Sequence, residues 1–274
     1  MKILFVMFLI TVFLILLPQK IGDSNIKTNL EEKIEKRIFE IIEDLDNYKI
    51  IKQEEQPVDT PKPTVTPTTE WWKYPKEILT TKRSGDDLLV LVNKTYKLPS
   101  TYAPSDLVKA SNSGIRRGEN YYLRNILIND LKNLINDSKQ SGADLSIVSG
   151  YRSYKTQVDT YNYWLSKNNN DVEYVDTFSA RPGHSQHQLG TAIDFSSNEI
   201  GDVLGDTFAN TKASEWLKTN AYKYGFIISF PKGFESITGY KHESWHYRYI
   251  GVENALSLTN KGLILETYLV SLNP

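Results

Sequence analysis

A stretch rich in Pro and Thr divides the chain and confines any packed fold to the residues that follow it. Residues 53–70 include the run QPVDTPKPTVTPTT and almost no large apolar side chains. A segment of this composition cannot bury a hydrophobic core and tends to extended conformations. We therefore predict a linker over residues 51–70 and one globular domain over residues 71–274, a length that suits a single domain.

Two segments precede the linker. In residues 1–20, Lys2 is followed by 15 apolar or nearly apolar residues. As a helix this run would rise only about 22 Å, short of a hydrocarbon core of about 30 Å, so it predicts a signal peptide or, if it is not cleaved, a membrane anchor. In residues 21–50, apolar side chains recur every three or four positions, as at Ile26, Leu30 and Ile34. This spacing predicts an amphipathic stalk helix.

Composition restricts the cellular locations and the binding partners that are expected for the protein. The net charge is −1 with both signs interspersed, and the chain has no cysteine. A near-neutral chain lacks the basic surface that nucleic-acid binding requires, so we predict no nucleic-acid partner. An exported protein without disulfides suits the cell envelope of a bacterium, where it would be extracytoplasmic and either secreted or anchored to the membrane.

The globular part mixes helical and strand patterns without a regular βαβ repeat. Four short strands are predicted, with the sequences DLSIVSGY, TAIDFS, FIIS and WHYRYIG. Helices are predicted from Asn120 to Gly142, over Tyr154–Leu165, over SEWLKTNAYKYG and over the closing NKGLILETYLVSL. This order predicts an α+β fold with a small, mainly antiparallel sheet flanked by helices.

The four histidines of the chain are unevenly distributed. They form two pairs, His184 with His187 and His242 with His246, and each pair lies near a carboxylate. A lone histidine is usually structural, but two clusters of histidine and carboxylate on separate elements favour a metal site, because these groups are the usual ligands of a catalytic zinc.

The second pair lies in the letters HESWH, which match a helical zinc-protease pattern. The neighbouring Trp245, Tyr247 and Tyr249 alternate with other residues as in a strand and show no helical spacing. In a strand, His242 and His246 would lie about 13 Å apart, too far to share a zinc ion that sits about 2.1 Å from each nitrogen. Only His246 is therefore expected to bind metal from this stretch.

The other ligands are expected in the first cluster. His187 and Asp194 are joined through Gly190, which gives the backbone freedom to turn back. Asp194 follows Ala192 on one face of its strand, and a buried aspartate without a partner would be costly. His187, Asp194 and His246 together make a chemically complete zinc site with one open position, and Glu243 can reach the water there.

Four segments carry a resemblance to a known family: LVNKTYKLPSTYAPSDLV, SGYRSYKTQ, SARPGHSQHQLGTAIDFS and TGYKHESWHYRYIG. In order and in spacing they resemble the VanY-type D-alanyl-D-alanine carboxypeptidases, zinc peptidases that trim bacterial stem peptides, over roughly residues 88–270. The resemblance implies the fold of zinc D-Ala-D-Ala carboxypeptidases and hedgehog-like domains. It also implies Zn²⁺ on His187, Asp194 and His246, with Glu243 as general base.

The resemblance assigns the substrate-binding residues as well. It implies that Arg152 holds the substrate, and that Gln157 and Ser185 line the same cleft. Two residues depart from the family pattern: Gln186 replaces a frequent glutamate and Ser244 a frequent proline. Neither departure removes a ligand or the base.

The implied activity is removal of the terminal D-amino acid from peptidoglycan stem peptides by a zinc-activated water. Arg152 fits an enzyme that acts at a chain end, because its guanidinium can bind a free carboxylate with two hydrogen bonds. An LD-carboxypeptidase, a stem-peptide endopeptidase and a non-catalytic zinc module that binds the cell wall stay open as alternatives. His184 and His242 are expected outside the metal's ligand set, as supporting, substrate-contacting or surface residues.

Overall fold

The computed structural model describes residues 70–272. The predicted export segment, the stalk helix and all but the last residue of the linker lie outside the described residues. Within residues 70–272, no helix is long and apolar enough to cross a membrane.

A four-stranded antiparallel sheet forms the centre of the domain. Its strand order is β5-β6-β8-β7, and every neighbouring pair runs antiparallel. Two small two-stranded sheets accompany it, a parallel β1-β2 pair and an antiparallel β3-β4 pair. The strands are β1 (Leu79–Thr80), β2 (Tyr96–Lys97), β3 (Leu107–Lys109), β4 (Tyr122–Arg124), β5 (Leu145–Ser149), β6 (Ala192–Ser197), β7 (Phe226–Ile228) and β8 (His246–Tyr249).

Helices flank the sheet. They are α1 (Ile128–Gln140), α2 (Tyr154–Lys167), α3 (Val172–Asp176), α4 (Lys212–Asn220), α5 (Glu235–Thr238), α6 (Val252–Asn260) and α7 (Leu265–Leu272). Short 3₁₀ turns connect several of them, including one at Gln186–Leu189 immediately before β6. The order of elements confirms the predicted α+β fold with a mainly antiparallel sheet.

The alternation of side chains along β6 explains how one face of the sheet packs against the hydrophobic core while the other face carries polar groups. Ile193 and Phe195 are fully buried in the main hydrophobic cluster, where Leu131 and Leu134 of α1 also lie. Asp194 points to the opposite face, since successive side chains of a strand alternate. One face of the sheet therefore holds the core, and the other is free for a polar site.

Two predicted helices differ from the structure. The chain around Leu123 is strand β4, paired with Val108 of β3, so the long helix begins only at Ile128. The predicted closing helix over residues 260–272 is also wrong in extent. The C-terminal region contains two helices, and Gly262, with φ +63°, lies in the turn between α6 and α7.

Candidate active site

Three side chains that can bind a metal converge on the polar face of the central sheet. His187, Asp194 and His246 are buried, and one ligand atom from each lies within 4.8 Å of the others. Asp194 on β6 and His246 on β8 are direct partners across the two strands. His187 comes from the 3₁₀ turn before β6, and Gly190, with φ +69°, lets the chain turn back into that strand.

Hydrogen bonds fix which ring nitrogen of each histidine faces Asp194. His187 Nδ1 lies 2.7 Å from the carbonyl oxygen of Gly150 and must donate to it, so Nε2 is the unprotonated nitrogen, 3.1 Å from Asp194 Oδ2. His246 Nε2 lies 3.2 Å from Gln186 Oε1, which leaves Nδ1 facing Asp194 Oδ1 at 2.9 Å. One ring nitrogen of each histidine thus faces the Asp194 carboxylate. That arrangement suits a cation held among the three groups, and outer hydrogen bonds of this kind are typical of metal-binding histidines.

The electrostatics of the group agree with this arrangement. Burial lowers the pKa of His187 to about 4, even though the nearby Asp194 opposes the shift. Burial alone would raise the pKa of Asp194, but its contacts with His187 and His246 outweigh that effect and hold the pKa far below its ordinary value. The neutral imidazole and the ionised carboxylate are the forms that bind metal ions.

Glu243 lies beside this group, on the turn that leads into β8. Its Oε2 is 3.8 Å from His246 Nδ1, and its backbone N–H donates to the carbonyl of Phe230. Burial raises the pKa of Glu243 well above its ordinary value, and the negative charge of Asp194 adds to the shift while Arg152 opposes it. The structure therefore places a carboxyl group next to the three side chains that can bind a metal.

Arg152 follows β5, and its backbone N–H donates to the carbonyl of His187. Its half-buried side chain lies near Asp194 and Glu243, and desolvation lowers its pKa despite these two carboxylates. Among the described residues, Arg152 Nε has no hydrogen-bond partner. A cationic group with a buried, unused donor is suited to bind an anionic group of a ligand.

Gln157 and Ser185 lie in the same region. Gln157 Nε2 donates to the carbonyl of Ala180, whereas Gln157 Oε1 has no partner among residues 70–272. Ser185 caps the 3₁₀ turn, since its Oγ accepts from the backbone N–H of His187. Ser185 thus also has a local structural role.

The remaining two histidines stand apart from the metal-binding group. His184 Nδ1 lies 2.7 Å from the carbonyl of Asn93, and His242 Nδ1 lies 2.8 Å from the carbonyl of Phe230. Residues 241–245 form no helix, which confirms that the HESWH pattern is not a helical zinc-protease motif here.

All seven residues predicted for the site line one open cleft with a volume of about 860 Å³. The cleft continues along one face of α2 and past α3, where aromatic side chains line it. It is lined near the metal-binding group by Phe230, whose ring centroid is 4.9 Å from that of His246.

Sequence reasoning missed several contributors to the site. The carbonyl of Gly150 is a backbone group, so no side-chain pattern could reveal it. Gln186 was identified only as a departure from the family pattern, although it orients His246 and also accepts from Ser229 Oγ at 2.7 Å. Its position next to His187 in the sequence was the available signal.

A buried group of two histidines and one carboxylate, with a further carboxyl group and an arginine in an open cleft, is the kind of site found in metal-dependent hydrolases. Comparisons with known proteins identify the class. The model of the VanY D-alanyl-D-alanine carboxypeptidase family matches residues 120–252. YodJ of Bacillus subtilis (strain 168), named as a carboxypeptidase, is 39 % identical over 193 residues, which cover 69 % of this chain and 70 % of that protein.

Comparison with solved structures indicates the same class of protein. The LdcB LD-carboxypeptidase is 37 % identical, with a TM-score of 0.61, and the match covers 68 % of this chain and 87 % of that chain. A mutant of the vancomycin-resistance D,D-pentapeptidase VanY, in complex with Zn(II), is 30 % identical with a TM-score of 0.56; that match covers 66 % of this chain and 98 % of that chain. The chain therefore belongs to the VanY family of D-alanyl-D-alanine carboxypeptidases and is a hydrolase.

Proposed function

We propose that this protein is a zinc-dependent carboxypeptidase that removes the terminal D-alanine from D-alanyl-D-alanine ends of peptidoglycan stem peptides. The observation that carries the proposal is the convergence of one ring nitrogen from each of two histidines on Asp194, with Glu243 beside them. Family membership and a zinc-bound relative support the choice of metal and of substrate.

His187, Asp194 and His246 would hold the ion. When bound there, Zn²⁺ supplies a Lewis acid that polarises the scissile carbonyl and makes water acidic enough to react near neutral pH. The backbone carbonyl of Gly150 and the side-chain amide oxygen of Gln186 would keep the two imidazoles in the tautomers that this role requires. The protein thus orients its ligands before the ion arrives.

Glu243 is proposed as the general base. Its ionised form, which the positive charge of a bound ion would favour, lies beside His246 and outside the set of three ligands; there it can accept a proton from the attacking water and then donate that proton to the departing amine. Arg152 is proposed to bind the terminal carboxylate of the substrate, with Gln157 and Ser185 lining the same cleft. Recognition of a free carboxylate restricts cleavage to the end of a chain.

A second candidate is an LD-carboxypeptidase that acts on the tetrapeptide. It is favoured by the similarity to LdcB, since the identity of 37 % and the TM-score of 0.61 exceed the 30 % and 0.56 found for VanY. Both candidates use the same metal group and the same base. They differ in the residue that precedes the scissile bond.

Product analysis of stem peptides separates these candidates. We expect the wild type to contain zinc and to release D-alanine from a pentapeptide that ends in D-Ala-D-Ala. Glu243→Gln should lower the rate by about 10²- to 10⁴-fold, the usual contribution of a general base, without loss of zinc or of melting temperature. Glu253→Gln, at an exposed position on α6, is the matched control and should retain full activity.

The substrate range decides between the alternatives. Release from the tetrapeptide alone would replace the DD assignment with the LD one, and an internal cut would indicate an endopeptidase. A pentapeptide whose terminal carboxylate is converted to an amide should be cleaved poorly, because Arg152 would lose its ion pair. Bound zinc without any cleavage would contradict the proposed function and leave a wall-binding role.

We also propose that the peptidase domain over residues 71–274 works outside the cytoplasm. The predicted export segment over residues 1–20, the stalk helix over 21–50 and the linker over 51–70 would hold it within reach of the cell wall. Fractionation of the producing bacterium should place the chain in the membrane fraction or the medium. Recovery in the cytoplasm would contradict this prediction, and the two expected fractions distinguish an anchor from a cleaved signal peptide.

A further inference from the structure

A tyrosine that closely follows the linker contacts both segments that carry the candidate active site. The hydroxyl of Tyr74 accepts from the backbone N–H of Arg181 at 2.9 Å and lies 3.1 Å from the hydroxyl of Tyr240. One of these segments leads from Arg181 to His187, and the other leads from Tyr240 to His246. A single oxygen atom therefore joins the two segments.

The ring of Tyr74 has contacts of its own. Its centroid is 4.9 Å from that of the His184 ring, which lines the cleft, and 4.2 Å from Lys94 Nζ. The guanidinium carbon of Arg181 lies 4.3 Å from the same centroid. The ring therefore fixes the side chain in place, and the hydroxyl is a separate feature that a phenylalanine would remove alone.

Tyr240 begins the stretch of chain that presents Glu243 to the cleft. Tyr240 is buried, and its ring centroid is 5.0 Å from that of Phe230. The carbonyl of Phe230 accepts from the backbone N–H of Glu243 at 3.1 Å, and its ring centroid lies 4.9 Å from that of His246. Tyr74, Tyr240 and Phe230 thus form a row of contacts that ends at the proposed base and at one proposed ligand.

The position of the Glu243 side chain depends on the turn that carries it. Within the described part of the chain, its carboxyl group makes no hydrogen bond, and its only ion-pair contact is with His246 Nδ1 at 3.8 Å. A misplacement of about 1 Å can slow an enzyme about 100-fold. Contacts that hold this turn therefore bear directly on catalysis.

The three proposed ligands and Arg152 are held by contacts that do not involve Tyr74. His187 Nδ1 lies 2.7 Å from the carbonyl of Gly150, and the His187 carbonyl accepts from the backbone N–H of Arg152. The other two ligands pair directly across β6 and β8. Loss of the Tyr74 hydroxyl should therefore move the turn of Glu243 and leave the ligands and Arg152 in place.

We propose that Tyr74 is a positioning residue for the hydrolytic reaction, whose hydroxyl acts through Tyr240 to hold the turn that carries Glu243 beside the metal-binding group. This inference rests on the proposed function. It also extends the functional domain beyond residues 120–252, which the family model matches, because a residue close to the linker takes part in shaping the site.

Steady-state kinetics of Tyr74→Phe test the proposal on the stem peptide that the wild type cleaves. This change removes one oxygen atom and keeps the ring against His184 and Lys94. We expect kcat to fall by about tenfold, because the turn of Glu243 loses a contact, while KM stays within about twofold, because Arg152 is unaffected. The zinc content should equal that of the wild type.

A double-mutant cycle tests whether Tyr74 acts through Tyr240. Tyr240→Phe removes the other hydroxyl of the pair and should lower kcat to a similar extent. The double variant should be no slower than the slower single variant, because both changes break the same contact. Losses of kcat that multiply in the double variant would contradict action through Tyr240.

Tyr249→Phe is the matched control for the loss of a hydroxyl group. Tyr249 donates to Asp130 Oδ2 at 2.6 Å, joins β8 to α1 within the main hydrophobic cluster and does not line the cleft. This variant should have a lower melting temperature and the wild-type kcat. Wild-type kcat in Tyr74→Phe, or equal losses of kcat in both variants, would overturn the proposal.

Hydrogen exchange separates failure of this proposal from failure of the proposed function, because it requires no cleavage. Amide exchange in residues 240–246, followed by mass spectrometry, should be about tenfold faster in Tyr74→Phe than in the wild type and unchanged in Tyr249→Phe. Unchanged exchange in Tyr74→Phe would overturn the positioning role while the carboxypeptidase assignment stands. Faster exchange in a protein that cleaves no stem peptide would leave the contact with the turn supported and the proposed function refuted.

Discussion

At the scale of single residues, Gln186 determines which ring nitrogen of His246 faces the proposed metal position. Its Oε1 can accept from His246 Nε2 and from Ser229 Oγ, which turns Nδ1 of His246 towards Asp194. A neutral amide fixes this orientation without adding a negative charge. A glutamate at the same place would add that charge and would make the imidazole a stronger ligand.

Replacement of Gln186 should therefore change the affinity for zinc before it changes the fold. We expect Gln186→Leu to weaken zinc binding by about 10- to 100-fold, since it removes the acceptor that orients His246. Gln186→Glu should bind zinc at least as tightly as the wild type. Competition with a chromophoric chelator measures both affinities.

Gln188 offers a matched control in the same 3₁₀ turn. It is fully buried, and its Nε2 donates to the carbonyls of Pro99 and Tyr102, away from the histidines. Gln188→Leu should lower the melting temperature but leave the zinc affinity intact. Equal losses of zinc affinity in Gln186→Leu and Gln188→Leu would mean that general destabilisation, and not orientation of His246, is responsible.

At the scale of elements, the buried Lys94 joins three parts of the fold beside the cleft, which Tyr240 lines. Its ammonium lies 4.2 Å from the ring centroid of Tyr74 and 4.1 Å from that of Tyr240, and it donates to the carbonyl of Asp176. Tyr74 also accepts from the backbone N–H of Arg181 and lies 3.1 Å from the hydroxyl of Tyr240. This cluster connects the segment before β1 with both segments that carry the site.

The cluster should make stability depend on pH. Burial lowers the pKa of Lys94 to about 7 from 10.5, opposed by the charge of Asp176 and reinforced by that of Arg181. Between these two values the unfolded chain binds a proton that the folded chain has lost. The contribution of Lys94 to the free energy of unfolding therefore rises as pH increases from about 7 to 10.5.

Denaturant titrations at pH 6.5, 8 and 9.5 check this expectation. The difference in the free energy of unfolding between wild type and Lys94→Met should shift in favour of the wild type as pH rises. Lys109→Met removes a lysine whose ammonium lies 4.0 Å from the Tyr122 ring centroid, on β3, and controls for loss of one such contact. A constant difference for Lys94→Met would show that this lysine keeps its ordinary pKa.

Local sequence patterns predicted the elements whose own residues show a clear periodicity. They failed where pairing with a distant segment determines the secondary structure. The alternation in WHYRYIG identified β8, and the order of short strands identified the fold class. Leu123 fits the apolar spacing of the helix that follows, yet it lies in β4 because Val108 of β3 pairs with it. Similarly, the site residues could be predicted from their sequence motifs. The Lys94 cluster could not, because it joins residues that are far apart in the sequence and belong to no recognisable motif.

At the scale of the whole domain, a bound ion would connect the 3₁₀ turn, β6 and β8 through one point. A ligand present at a thousand times its dissociation constant stabilises a fold by about 4 kcal/mol. For a domain of this size, that corresponds to a rise in melting temperature of about 8 to 16 °C. We expect a chelator to lower the melting temperature by this amount and added zinc to restore it.

Asp194→Asn tests whether this shift comes from the proposed ligands. The variant should melt at nearly the same temperature with and without the chelator, because it has lost a ligand and its charge. Scanning calorimetry on both proteins measures the two shifts. A full chelator effect in Asp194→Asn would place the stabilising ion elsewhere in the chain.

Asp194 and His246 pair directly across β6 and β8, so their spacing does not depend on the residues that line the rest of the cleft. Backbone hydrogen bonds hold neighbouring strands about 4.8 Å apart whatever side chains they carry, so these two ligands keep their spacing when the surroundings change. The outer parts of the cleft come from other segments, including α2 and residues 204–206. Descendants of one ancestor can therefore exchange the rim, and with it the preferred peptide, while inheriting the same reactive centre.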